Sequence, residues 1–183
     1  RSMQEIEKII ENLQVEDQVR RDIAAVYHLI AEAESAVHGT TVTEIHFHEV
    51  GMMDAVADIT AVCMLMRELA PDRIIASPVA TGYGAVRCAH GVLPVPTPAT
   101  AVLLQGISAY AGNIEAELCT PTGAALLKYF AEAFRQMPTL AVERVGYGMG
   151  TKDFPRANCL RAFWGNSEPA GDEVAELSCN VEI

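Results

Sequence analysis

The sequence predicts an α/β or α+β fold, in which a helical N-terminal segment is followed by interleaved helices and strands that form one mixed-sheet domain. Three observations lead to this prediction. Apolar residues recur at helical spacing through the first part of the chain, short strand-like runs alternate with helical patterns after it, and two Thr-Pro pairs mark later helix starts. We divide the 183 residues into an N-terminal helical segment (1–40), an α/β core (41–170) and the start of a truncated following strand or domain (171–183).

Two amphipathic helices are expected at the start of the chain. The first covers about residues 3–14, and the second covers about residues 17–37 and stops at Gly39, a residue that commonly ends helices. A strand is expected at Glu44–Val50. The next helix, Ala55–Leu69, is almost wholly apolar, so we expect it to be buried on most sides.

The second half of the chain alternates short strands, glycine-rich loops and helices. An apolar strand, Ile74–Pro78, precedes a glycine-rich segment at Ala80–Gly84 and then a second segment at Ala89–Pro94. Two helices open with a threonine that can cap and a proline that suits the first helical position. They are expected at Thr97-Pro98 to Gly106 and at Thr120-Pro121 to about Phe134. The remaining strands are Ala141–Tyr147, Asn158–Trp164 and Glu173 onward, with a turn at Gly146, Gly148 and Gly150.

Composition limits the classes of function. The chain carries 24 acidic and 13 basic residues, a formal net charge of −11. We therefore expect neither nucleic acid nor an anionic membrane as a partner. No apolar run reaches the roughly 20 residues that span a bilayer, and no signal peptide is recognisable. The five cysteines are never in CxxC spacing, which favours free thiols in a reducing cytoplasm; Cys88 and Cys119 lie next to loop signals.

The densest chemistry lies in the segment His46-Phe47-His48-Glu49-Val50-Gly51. On a strand, His46 and His48 would lie on one side, about 7 Å apart. Asp54 and Asp58 are four residues apart and would share one face of the following helix. Because imidazole and carboxylate groups are common metal donors, this corner is a candidate metal or cofactor site. A polar strand face and carboxylates that favour the helix dipole would explain the same residues without a ligand.

Further candidates lie in loops and at helix starts. His90, next to Gly91, is either a ligand or acid–base residue or an ordinary loop residue. The pair Gly82 and Gly84 lacks the third glycine of a dinucleotide fingerprint. The two Thr-Pro helix starts offer backbone N–H groups that either are simply capped or bind an anion. Two histidines are expected to be structural or solvated: His28 and His38.

Four segments of the chain resemble the LarC family, the nickel insertion proteins of lactate racemase maturation. They are HFHEVGMMDAVADI, IIASPVATGYGAVRCAHGVLPVPTPATAVLLQG, ELCTPTGAALLKYF and VGYGMGTKDFPRANCLR. The resemblance covers nearly the whole chain, in order. It implies a lyase (a chelatase) that inserts nickel into pyridinium-3,5-bisthiocarboxylic acid mononucleotide and so produces the nickel-pincer cofactor. It also implies that the full-length protein hydrolyses CTP with manganese or magnesium.

Two departures from the family pattern predict a fragment. The family's Gly-rich acidic N-terminal segment is absent, and the chain stops within the strand that includes Glu176. The missing C-terminal domain is where the family is thought to hold CTP. We therefore expect this fragment to be inactive alone, and to have the missing C-terminal part of the same protein as a partner.

The resemblance assigns no individual roles in this stretch, so the roles follow from chemistry. His46, His48 and Glu49 are the candidate metal ligands for transient nickel delivery, and Glu49 or Asp58 would orient an imidazole. The candidate catalytic residues are His46, His48, Asp58 and His90. The candidate groups for the anionic substrate are the backbone of Gly82, Gly84, Gly91 and the helix start after Thr120, with Arg87 or Lys152 beside them.

Two other functions compete with nickel insertion. One is a metal-dependent phosphoester hydrolase that uses the histidine and aspartate corner to activate water. The other is a non-catalytic scaffold or oligomerisation domain whose apolar helices serve the rest of the protein. The sequence leaves a homo-oligomer open.

Overall fold

The computed structural model describes residues 1–47 and 50–167 in full and residues 173–179 as backbone. His48 and Glu49 therefore lie outside the described residues. The helices are α1 (Met3–Asn12), α2 (Asp17–His38), α3 (Met53–Leu69), α4 (Pro98–Leu103) and α5 (Pro121–Phe130), with a 3₁₀ turn at Val42–Glu44. The strands are β1 (Arg73–Ala76), β2 (Val79–Ala80), β3 (Ala85–Cys88), β4 (Gly91–Pro94), β5 (Ala109–Tyr110), β6 (Ala133–Phe134), β7 (Leu140–Met149), β8 (Cys159–Ser167) and β9 (Glu173–Cys179).

Strands from distant parts of the chain form one mixed sheet in the order β6-β1-β9-β8-β7. Strand β1 pairs in parallel with β6 and β9, whereas β8 pairs antiparallel with β9 and β7. Two smaller pairs accompany the sheet: the parallel pair β2–β5 and the antiparallel hairpin β3–β4. The predicted mixed α/β class is confirmed. Strand β9 comes from the segment assigned to a following domain, yet it lies in the middle of this sheet; the domain boundaries themselves stay a prediction.

The two N-terminal helices form where the apolar spacing predicts them. Ser2 and Glu5 close a capping box at the start of α1, and α2 ends at Gly39. Because each helix carries its apolar residues on one side, both helices contribute to one helical core. Its fully buried side chains include Ile6, Ile23, Val26, Tyr27, Ile30, Ile59 and Leu103. No helix in the described part of the chain has the length and apolarity to cross a bilayer.

The prediction of a strand at Glu44–Val50 is wrong for those residues of this segment that the structure describes. Thr41 and Glu44 instead close a capping box over the 3₁₀ turn. Strand-like pairing is reduced to one bridge between Ser2 and His46. The physical reason is that Thr-x-x-Glu is a helix-start pattern, and it competes with the β-forming side chains that follow it.

Helix α3 is not buried on most sides, contrary to the prediction. Its buried residues are Val56, Ile59 and Cys63. Four large apolar side chains on the helix are exposed: Met53, Met64, Leu65 and Leu69. The helix packs against α2 and α5 on one side. It carries more apolar side chains than those two neighbours cover, so several of them stay exposed.

The predicted turn at the C-terminal glycines is also wrong. Gly146 and Gly148 lie inside β7, opposite Ala162 and Leu160 of β8, and only Gly150 follows the strand. Long cross-strand pairing outweighs the local turn preference of glycine here.

One hairpin and two helix ends also differ from the prediction. The sequence did not indicate the hairpin β3–β4, which turns at Ala89 and His90. The helices after the two Thr-Pro pairs begin as predicted but end early, α4 at Leu103 and α5 at Phe130. After α5 the chain forms β6, whose pairing with β1 requires an extended backbone.

Candidate functional site

A cavity of about 550 Å³ opens where the end of α2, the start of α3, the hairpin β3–β4 and the starts of α4 and α5 meet. We call it the histidine cavity. Its chemically active lining comprises three histidines, one cysteine, four carboxylates and one arginine: His38, His46, His90, Cys88, Glu34, Asp54, Asp58, Glu117 and Arg87. Large parts of the remaining wall are apolar, and two threonine-proline helix starts complete it.

His46 is positioned by its two neighbours in the chain. Ile45 and Phe47 are only 4% and 5% exposed, and they anchor the segment in the core on either side of the exposed His46. The N–H of Phe47 donates to the Arg1 carbonyl at 2.7 Å, and its ring lies 6.0 Å from the ring of Tyr27, centroid to centroid. This anchoring holds His46 at the cavity although the segment is not a strand.

Asp54 and Asp58 lie in the first two turns of α3, and both line the histidine cavity. The prediction that the two carboxylates share one face of this helix is therefore confirmed. Both side chains belong to exposed residues. Asp54 is in the first turn, where the helix dipole favours negative charge.

His38 and His90 meet at the same cavity. Their ring centroids are 5.1 Å apart at an interplanar angle of 45°. Nε2 of His38 also lies 3.4 Å from Oε2 of Glu34, one helical turn earlier. Sequence reasoning named His90 but expected His38 to be structural or solvated. No pattern in the neighbouring sequence indicates that His38 belongs to a site, because the ring that it contacts, His90, lies on a hairpin far along the chain.

The hairpin β3–β4 brings three more groups to the cavity. Arg87 and Cys88 end β3, and His90 lies in the turn that follows. The thiol of Cys88 is free and half-buried. Cys88, which the sequence marked only by its position near a loop, thus contributes a soft donor to the lining of the cavity that the histidines also line.

The two Thr-Pro helix starts differ in their hydrogen bonds. Thr120 Oγ1 accepts from the Gly123 N–H at 3.2 Å, so the predicted cap of α5 is confirmed. Thr97 instead pairs its hydroxyl with that of Thr100 at 3.0 Å, and makes no side-chain hydrogen bond to the backbone of α4. Both starts line the cavity. In the first turn of α5, Pro121 has no N–H, and the N–H groups of Gly123 and Ala124 donate to Thr120, so the cap already uses most of the N–H groups that this turn could offer to an anion.

Other predicted site residues lie outside this lining. Gly82, Gly84 and Gly91 do not line the cavity, and Lys152 lines a second one. Gly82 has a packing role: it is buried with φ 76°, and a Cβ there would overlap the carbonyl oxygen of Ala116. Substrate contact at these four residues stays a prediction.

The electrostatics of the cavity favour a cation. Four carboxylates face one guanidinium, a formal charge of −3 with the histidines neutral. An acidic cleft raises the local concentration of cations and repels polyanions. Within residues 1–47 and 50–167, no three His, Cys, Asp or Glu side chains converge closely enough to hold a metal ion. The described donors therefore surround the cavity without forming a closed metal cage.

The cavity gathers imidazole, thiol and carboxylate groups, which are the donors that transition metals take in proteins. Comparison with known families agrees with this donor chemistry. The family described as nickel insertion protein matches residues 1–182. The chain belongs to this nickel insertion protein family.

Three relatives named pyridinium-3,5-bisthiocarboxylic acid mononucleotide nickel insertion protein illustrate the match. Those from Clostridium kluyveri and a Nocardioides species are 41% and 42% identical over 100% of this chain, which covers 46% and 47% of their lengths. The relative from Staphylococcus saprophyticus is 36% identical, again over 100% of this chain and 47% of its own length. The chain thus spans about half the length of the curated relatives it matches. No solved structure matches the chain.

Proposed function

We propose that this chain is part of a protein that inserts nickel into pyridinium-3,5-bisthiocarboxylic acid mononucleotide, producing the nickel-pincer cofactor. Membership of the nickel insertion family and the names of the relatives support this proposal. The structural observation that carries it is the meeting of His38, His46 and His90 in one acidic cavity.

Nickel enters this proposal as the substrate metal. The charge of −3 at the cavity attracts a divalent cation, and nickel(II) suits imidazole, thiolate and carboxylate donors. We propose that His46 contacts the ion first, and that Asp58 orients an imidazole or supplies an oxygen donor. His48 and Glu49 keep their proposed role as ligands. A spread set of donors suits delivery, because a closed four-ligand cage would retain the metal.

The nucleotide substrate carries anionic thiocarboxylate and phosphate groups that need donors. Arg87 and the start of α5 after Thr120 line the cavity and are its two features that favour an anion. We propose that they hold one thiocarboxylate, which would bring the pincer donors next to the histidines. The phosphate is not assigned to this cavity, because the surrounding carboxylates would repel a dianion.

CTP hydrolysis with manganese or magnesium is proposed for the full-length protein only. The histidine cavity does not fit a triphosphate, since its formal charge is already −3. We therefore propose that this chain alone does not complete nickel insertion, and that the lyase (chelatase) activity belongs to the full-length protein. A cytoplasmic location is proposed with it, supported by the free thiols of the four described cysteines.

Calorimetric titration of nickel(II) into the chain tests the proposal. We expect His46→Ala to weaken nickel binding about tenfold, which corresponds to roughly 1.4 kcal/mol. His28→Ala is the matched control, because His28 is an exposed histidine on α2 outside the cavity lining. Equal affinities for wild type and His46→Ala would remove His46 from the proposal. Metal-dependent cleavage of a simple phosphate ester by the chain, without a thiocarboxylate substrate, would favour the hydrolase instead.

Association is a second candidate function, and the exposed apolar side of α3 favours it. Leu65 is 59% exposed and Met53 is 53% exposed on this helix. Exposed large apolar side chains on one helix are a feature of surfaces that make protein–protein contacts. We propose that it mediates a homo-oligomer. Light scattering should then give a mass above that of one chain for the wild type and the mass of one chain for Leu65→Glu. A wild type that is monomeric at high concentration would contradict this.

A further inference from the structure

A carboxylate and two imidazoles from two distant elements meet at the wall of the histidine cavity. Glu34 and His38 lie one turn apart at the end of α2, and His90 lies in the turn of the hairpin β3–β4. The side chain of Glu34 is 21% exposed, whereas that of His38 is 41% exposed. The carboxylate is thus the more sheltered member of the pair, as expected for a group that supports a ligand rather than for a solvated charge.

The separation of the two rings matches that of two imidazoles that share one metal ion. A metal ion lies about 2.1 Å from the nitrogen of an imidazole ligand, and so roughly 3.2 Å from the ring centroid. Two such rings have centroids roughly 4.5 Å apart when they bind at a right angle, and roughly 5.2 Å apart at a tetrahedral angle. The centroids of His38 and His90 are 5.1 Å apart, which falls within this range.

The Glu34 carboxylate favours one nitrogen of His38 as the metal donor. Its Oε2 atom lies 3.4 Å from Nε2 of His38, and a negative charge at this distance attracts a proton to Nε2. Because a neutral imidazole carries a single proton, Nδ1 then keeps the lone pair that a metal needs. A carboxylate next to one ring nitrogen, with the metal on the other, fixes the ring and raises the basicity of the donor nitrogen.

A glutamate and a histidine four residues apart are by themselves an ordinary feature of a helix. This pair differs because its imidazole contacts a second imidazole from a distant hairpin, at a spacing that fits a shared ion. We propose that Glu34 is a positioning residue, which holds the His38 proton on Nε2 so that Nδ1 of His38 and a nitrogen of His90 bind nickel together. The inference rests on the proposed function, since it takes nickel as the substrate metal.

Two protein nitrogens are fewer donors than a nickel ion takes. This number agrees with the lack of a three-donor group within residues 1–47 and 50–167. The remaining coordination positions stay open to the thiocarboxylates of the nucleotide, so the ion can pass to the substrate without first leaving a closed cage.

Calorimetric titration of nickel(II) alone into the 183-residue chain tests this inference by a double-mutant cycle. Glu34→Ala should weaken nickel binding about tenfold, and Glu34→Gln, which keeps an oxygen acceptor, about threefold. In a His38→Ala background, Glu34→Ala should change the affinity by less than about twofold, because the group that it positions is gone. The matched control is Glu32→Ala, which removes the same charge from an exposed position of α2 outside the cavity lining.

Nuclear magnetic resonance gives a second readout, because paramagnetic nickel(II) broadens the signals of protons near it. Substoichiometric nickel should broaden the ring signals of both His38 and His90 in the wild type. The broadening of His38 should be weaker in Glu34→Ala. Wild-type His38 signals that stay sharp while nickel binds would overturn the proposal.

The cycle separates this inference from the proposed function. Equal weakening by Glu34→Ala with and without His38 would show that the carboxylate acts by its charge or as a ligand, and would overturn the positioning role. A Glu34→Ala protein that binds nickel as tightly as Glu32→Ala would overturn it as well. A wild type that binds no nickel would overturn the proposed role of the cavity in nickel delivery, and this inference with it.

Discussion

The imidazole rings of His38 and His90 lie 5.1 Å apart, centroid to centroid, at 45° to each other. His38 is the last residue of α2, and His90 lies in the turn of the hairpin β3–β4. Glu34 adds a carboxylate 3.4 Å from His38 Nε2. The imidazoles of His38 and His90 and the carboxylate of Glu34 therefore lie along one wall of the histidine cavity. Substitution of either histidine tests whether this wall binds metal.

We expect His38→Ala and His90→Ala each to weaken nickel(II) binding about tenfold, or roughly 1.4 kcal/mol. The reason is that each change removes one imidazole from a cavity whose described donors are dispersed. Calorimetric titration measures the effect, with His28→Ala as the control. If both variants bind nickel like His28→Ala, the pair is a structural ring contact and has no part in metal binding.

Gly82→Ala should destabilise the fold by more than about 2 kcal/mol. A Cβ at this position would overlap the Ala116 carbonyl oxygen, and φ 76° is unfavourable for alanine. Urea denaturation followed by circular dichroism measures the free energy of unfolding. Gly146→Ala is the matched control, because a Cβ there meets nothing within 4 Å. A stable Gly82→Ala protein would show that the loop adapts and that Gly82 has no packing role.

Tyr129→Phe should lower the free energy of unfolding by about 1.5 kcal/mol. The Tyr129 hydroxyl donates to the buried Asp22 carboxylate at 2.8 Å, and Gln18 Nε2 donates to the same oxygen at 2.7 Å. Loss of the hydroxyl leaves that carboxylate with one fewer donor. Tyr147→Phe is the control, since Tyr147 is 62% exposed, and it should change stability by less than about 0.5 kcal/mol. Equal effects in the two variants would contradict the role of the Tyr129–Asp22 bond.

Because the thiol of Cys63 is buried, we expect the free energy of unfolding to fall at alkaline pH. Burial, together with the nearby Asp22 charge, raises the pKa of Cys63 to about 12. An unfolded thiol ionises near pH 8.5, roughly, so above that pH the unfolded chain releases a proton that the folded chain keeps. The buried, protonated thiol of Cys63 therefore contributes fully to the free energy of unfolding below about pH 8.5. This contribution is lost as pH rises toward 12.

Urea midpoints at pH 8 and pH 10 measure this effect. Wild type should lose more stability between the two pH values than Cys63→Ala, which has no thiol to ionise. Burial likewise raises the pKa of Tyr129 to about 12, so both proteins share a tyrosine contribution and only their difference reports on Cys63. An identical loss in both proteins would show that Cys63 ionises alike in the folded and unfolded chains.

Sequence reasoning recovered the features that depend on neighbouring residues. Helices α1 and α2 follow from apolar spacing, the start of α5 follows from Thr120 and Pro121, and Asp54 and Asp58 share a face because they are four residues apart. The family resemblance, based on long motifs in order, predicted the nickel insertion family that the comparison then showed.

The sequence by itself determined the mixed α/β class, the N-terminal helices, the Thr120 cap of α5 and the residue types available for metal chemistry, because these depend on local periodicity and composition. Only the tertiary structure decided that His38 faces His90, that Arg87 and Lys152 line different cavities, and that one side of α3 is exposed. Each of these depends on which distant segments pack together. That choice is made by the burial of apolar surface across the whole domain, which no short pattern in the chain encodes.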